Sequence, residues 1–85
     1  MNIELQHEWF DMTARDIVKD LPDTTYTIIA IKDRGYRVMI EHGKIKRGFN
    51  CPFSTNLKEF TKIFSENIDE IKRIKNRGLY GSDSL

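Results

Sequence analysis

Eighty-five residues with 39% hydrophobic and 32% charged content describe one folded domain, too short for two independent cores and too apolar for a disordered chain. The single Cys51 excludes an intramolecular disulfide, no apolar run approaches the roughly 18 residues of a membrane span, and the acidic N-terminus does not read as a signal peptide, so a cytoplasmic protein is expected. The net charge of +1 hides a segregation: residues 1–23 hold six acidic and two basic side chains, and residues 24–50 hold six basic and two acidic ones, which predicts one basic face and one acidic face rather than an indiscriminate polycation.

In the first ten residues Ile3, Leu5, His7 and Trp9 alternate, which predicts a short extended start, an extra N-terminal strand. A helix near Met12–Asp20 then follows, with Asp11 as its cap and Pro22 after its end. The competing reading is a helix from Glu8 to Asp20, since Phe10, Ala14, Ile17 and Leu21 recur at three- and four-residue steps. Trp9 and Phe10 are the largest apolar groups of this third, expected in the core or in a partner contact.

The middle is β-structure. Thr24–Lys32 is β-branched and aromatic, Asp33-Arg34-Gly35 forms a turn, Tyr36–His42 is a second strand, Gly43 turns again, and Lys44–Cys51 is a third strand that Pro52 stops. A three-strand antiparallel meander is the simplest connection. Alternation puts Thr27, Ile29, Ile31, Val38, Ile40, Ile45 and Phe49 on an inner face, and Tyr26, Lys32, Arg37, Met39, Lys44 and Lys46 on an outer one.

A long helix follows, from about Asn56 to Arg77. Asn56 caps it and Glu59 closes the capping box, while Gly78 is the expected stop. Leu57, Phe60, Phe64, Asn67, Ile71 and Ile74 make its stripe, with Ile63 and Ile68 widening it. The stripe suits a helix packed on its own sheet, with Asn67 at the boundary. Its arc is also wide enough for both the sheet and a twin helix, Asn67 setting register, so these six are the candidate residues of a homodimer. A chain this short buries only about 60–65% of its unfolded surface, a second reason to expect association. The fold class is therefore α+β: a curved antiparallel sheet with a long C-terminal and a short N-terminal helix. Residues 1–78 form the domain and 79–85 a frayed tail.

Function rests on a surface. Lys32, Arg34, Arg37, Lys44, Lys46 and Arg47 supply cations for a nucleic-acid backbone, and Tyr26 and Tyr36 are candidate stacking platforms. The same cations also suit a solvated sheet edge that blocks aggregation. His7, His42 and Cys51 are too scattered to spell a zinc site. With no phosphate loop, nucleophile elbow or paired carboxylates, no enzyme and no cofactor is expected.

The strand TYTIIAIKD, the Gly35 turn, the strand YRVMIEH, the basic strand KIKRGFNC and the helix STNLKEFTKIFSENIDEIKRI together resemble the PC4-like single-stranded-DNA-binding proteins. That resemblance covers residues 25–74 and implies a twisted sheet, one long helix pairing across a dimer, and phosphate contacts by Lys32, Arg37 and Arg47. The chain departs from the family in its short second connection and in Glu41-His42 where the family has an aromatic. A sheet followed by a helix also resembles the arm-binding domains of phage-type integrases, which read duplex DNA with the sheet.

Single-stranded nucleic-acid binding in replication, recombination or transcription is therefore expected. The alternative from another class is a small inhibitor or adaptor, for example phage-encoded, that meets a host protein through the acidic, aromatic N-terminal region.

Overall fold

The computed structural model describes residues 3–77. The chain runs α1 (Ile3–Val18), β1 (Thr24–Ile31), β2 (Gly35–His42), β3 (Ile45–Cys51) and α2 (Leu57–Asn76). The strands form one antiparallel sheet in the order β1-β2-β3, so the α+β class and the meander are as expected. Both helices lie on the same face of that sheet. Gly78 and the tail at 79–85 fall outside the described residues.

The N-terminal third differs from expectation. Among the described residues no extended segment precedes the first helix; α1 spans 16 residues from Ile3. Its inward row is Gln6, Phe10, Ala14 and Val18, each buried and each one turn from the next. A glutamine in that row breaks the apolar periodicity, while Leu5 and Trp9, which created the period-two pattern, are exposed. Asp11 sits in mid-helix and is no cap.

Gln6 is 2% exposed and hydrogen-bonded at both ends of its amide. Its Nε2 donates to the carbonyls of Phe53 and Thr55, each at 2.9 Å. Its Oε1 accepts from the Tyr36 hydroxyl at 2.9 Å. One side chain thus ties α1 to β2 and to the β3–α2 loop. Further along, the Tyr26 hydroxyl donates to the Asp11 carboxylate at 2.7 Å, and His7 Nε2 donates to the Ile28 carbonyl at 3.1 Å, fastening α1 over the β1 edge.

Inside, aromatic rings fill the layer between helices and sheet. Phe10 of α1 stacks on Phe60 of α2, centroids 4.2 Å apart and planes within 5°. Phe10 meets Tyr36 edge-on at 5.2 Å, and Phe49 and Tyr26 close on Phe64. Such pairs add about 0.5–1.5 kcal/mol each beyond area burial. The capping box of α2 forms as read: Asn56 Oδ1 accepts from the Glu59 amide, and Glu59 Oε1 from the Asn56 amide.

The phase of β1 is the reverse of that expected. Tyr26 pairs with Ile40 and Ile28 with Val38, so Tyr26 and Ile28 face the core and Thr27, Ile29 and Ile31 face out. Isoleucine occupies both parities of this strand, so composition alone leaves its phase open; the register with β2 decides it.

Gly35 has φ +139°, and a Cβ there would sit 2.3 Å from the Cys51 carbonyl oxygen. Gly35→Ala is therefore expected to lose more than about 2 kcal/mol of stability in urea unfolding. Gln6→Leu, which strands two carbonyls and a hydroxyl, should lose about 2–4 kcal/mol. Burial first, then the hydrogen bond to Asp11, raises the Tyr26 phenol above its ordinary 10.0. The fold holds the neutral hydroxyl, so this contribution is complete below about pH 10 and is lost as pH rises through the raised value. Unfolding followed from pH 9 upward should show a weaker alkaline decline in Tyr26→Phe than in the unaltered chain.

Candidate nucleic-acid interface

Both helices cover the inner face, and among the described residues nothing covers the outer face of the sheet. Register places its side chains in rows: Thr25, Glu41 and Lys46; Thr27, Met39 and Gly48; Ile29, Arg37 and Asn50; then Ile31 beside Gly35. Lys32 and Arg34 stand in the β1–β2 turn at one end, and Lys44 in the β2–β3 turn at the other. Five of the six candidate cations, Lys32, Arg34, Arg37, Lys44 and Lys46, are exposed and belong to this face or its two ends. Against these five stand Glu41 on the face and Asp33 and Asp23 at its two ends, so the surface still carries a positive balance.

Arg47 is the exception. It shares its parity with Ile45 and Phe49, points toward the helices, and its Nε donates to Asn67 Oδ1 at 3.2 Å. Asn67 in turn donates to the Ile63 carbonyl at 2.9 Å. The pair is a polar strut between β3 and α2, and Arg47 leaves the set of candidate phosphate contacts.

Neither tyrosine is available for stacking. Tyr36 is 1% exposed, with its hydroxyl on Gln6, and Tyr26 turns inward to Asp11. No side chain on the rows of the open face is aromatic. The apolar part is Ile29, Ile31 and Met39, with exposures of 50% and 37% for the two isoleucines. Met39 lies across Gly48, where a Cβ would meet its sulfur at 2.6 Å.

Asn50 is a residue that the reading of charges missed. Arg37 Nη1 donates to its Oδ1 at 3.3 Å. Because a guanidinium only donates, this bond orients the amide and leaves its Nδ2 donors for a ligand. The signal was present in parity, since Lys46, Gly48 and Asn50 alternate on one face. Arg34, Arg37 and Asn50 line a half-open hollow of about 460 Å³ with Ile31 and Pro52.

The candidate dimer stripe is used within the chain. Phe60, Phe64, Asn67 and Ile71 are buried, and Ile74 packs against the same core; Leu57 alone is 39% exposed. The physical reason is the length of α1, which covers the flank of α2 that a twin helix was expected to occupy. Burial also raises the Cys51 thiol above its ordinary value, with a lesser opposing bond from Thr55. Among the described residues no three His, Cys, Asp or Glu side chains are arranged to hold a metal ion, and no helix is long and apolar enough to cross a membrane. Comparison with family models, with curated proteins and with solved structures yields no match.

Arg47→Ala leaves the buried Asn67 oxygen without its donor and should lose about 1–2 kcal/mol. Arg37→Ala, on the open face, should stay within about 0.5 kcal/mol. Paired urea titrations check the contrast.

Proposed function

We propose that this chain binds nucleic acid without catalysis, through the open basic face of its sheet, and that duplex DNA is the form it fits. The observation that carries the reading is that Lys32, Arg34, Arg37, Lys44 and Lys46 are exposed on or around one face that neither helix covers, a face with no aromatic side chain. Sequence-tolerant binding of single strands draws about 1–3 kcal/mol per base from aromatic stacking. With Tyr26 and Tyr36 turned inside, the described residues of this face lack that source, and the preference for single strands expected from the sequence gives way to duplex.

Width supports the same choice. Two neighbouring strands, each about 4.8 Å wide, occupy roughly 10 Å, against about 12 Å for the major groove of B-DNA. The pair β2 and β3, with Arg37, Lys46 and Asn50, therefore fits it. Strands laid in a groove are an established docking geometry. Lys32, Arg34 and Lys44 at the two ends of the face are placed to meet phosphates on the groove walls. Arg37 and the Asn50 amide present donors of the kind that read guanine and adenine edges, and Ile29 and Met39 suit a thymine methyl. Of the two likenesses, the sheet-reading arm-binding domains of phage-type integrases fit this arrangement better than the PC4-like proteins. Recombination, replication and transcription are the processes such a module serves.

Anisotropy titrations with a short labelled duplex and its separated strand, each at two salt concentrations, test the reading. Duplex should bind more tightly, and with four or five phosphates neutralised log K should fall with log salt at a slope of about −4. Arg37→Glu with Lys46→Glu should weaken binding by at least about tenfold without unfolding the chain. Tighter binding of the single strand would return the reading to stacking, and no binding of either at low salt would end it.

A further inference from the structure

Helix α1 has a second apolar face. Leu5, Trp9 and Met12 are 44%, 44% and 61% exposed, at the i, i+4, i+7 spacing that forms one row on a helix. At about 100° per residue this row lies well away from the buried Phe10–Ala14 row. It therefore looks out on the side of the molecule opposite the open sheet face. Single exposed apolar residues are ordinary, but three large ones in a row, with a tryptophan at the centre, mark a contact surface.

Charge selects the occupant. Between Ile3 and Val18 stand Glu4, Glu8, Asp11 and Asp16 against Arg15 alone. Asp11 is paired with Arg15 at 2.6 Å and Asp16 with Lys19 at 2.9 Å. Glu4 and Glu8, one turn apart, have no cation partner among the described residues and line a shallow hollow with His7 and Asp11. A second copy docked by the same helix would set these glutamates against themselves, and an anionic membrane would repel them. Seating a second copy by its basic sheet face is a head-to-tail contact that would occupy the face assigned to nucleic acid. We propose that the Leu5, Trp9 and Met12 face of α1 docks a basic amphipathic helix of a partner protein, with Trp9 as anchor and Glu4 and Glu8 meeting the partner's cations. This surface is separate from the one assigned to nucleic acid, so both ligands can be held at once.

Trp9 is the only tryptophan of the chain, and its emission reports the contact directly. The probe is a synthetic helical peptide with leucines at i, i+4 and i+7 flanked by lysines, compared with the same peptide carrying glutamates in place of the lysines. The lysine peptide should shift Trp9 emission to the blue saturably and bind less tightly as salt rises, and the glutamate peptide should bind at least about tenfold more weakly. Leu5→Gln with Met12→Gln, which leaves the charge unchanged, should weaken the lysine peptide by a similar factor while circular dichroism and duplex binding stay as they were. Equal binding of the two peptides, or no shift with either, overturns the proposal. A Trp9 shift driven by protein concentration alone overturns it in favour of a second copy. Failure of the unaltered chain to bind duplex would count against the sheet-face reading only.

Discussion

The side chain on which most of this architecture depends is Gln6. An amide buried without partners would cost several kcal/mol, and here both donors and the acceptor are matched by Phe53, Thr55 and Tyr36. Because carbonyls accept and the phenol donates, the three bonds fit only one orientation of the amide. They hold α1 against the start of α2 and turn Tyr36 into the core. From that follows which face of the sheet is covered and which is open.

Covering one face with two helices divides the roles of the chain's charge. The acidic residues of the first third ride on α1, and the basic residues of the middle third fall on the open sheet or its ends. The molecule is thereby charge-segregated, acidic along α1 and basic on the open sheet, with α2 close to balance, although its net charge is only +1. Long-range attraction of a polyanion would orient the sheet toward it before contact. That orientation is a property of the fold rather than of composition.

The strands and α2 were legible because their signals are local and repeated. β-branched runs are broken by Gly35 and Gly43, and Asn56 and Glu59 form a capping box around the start of a regular apolar stripe. The start of α1 was hidden because its buried row begins with a glutamine whose partners lie 30 to 49 residues away in sequence. The phase of β1 was hidden because Ile28 and Ile29 are equally greasy, and only pairing with β2 chooses between them. Within the candidate interface, Arg37 and Lys46 could be placed from parity alone. The inward turn of Arg47 followed from its place between Ile45 and Phe49, and the burial of Tyr36 from its place in the row with Val38 and Ile40. Both were obscured by reading charge and aromaticity ahead of alternation. The single-chain use of the α2 stripe was legible as the plainer reading of its spacing, whereas the share that α1 takes of it was hidden with the start of α1.

Backbone amide NMR during titration of the full chain with a short duplex tests the central claim most directly. The account predicts shifts concentrated at Thr25, Thr27, Arg37, Lys46 and Asn50 and in the two hairpin turns, with Phe10, Ala14 and the outer side of α1 unmoved. Shifts concentrated on α1, or spread evenly over both sides of the molecule, would contradict it.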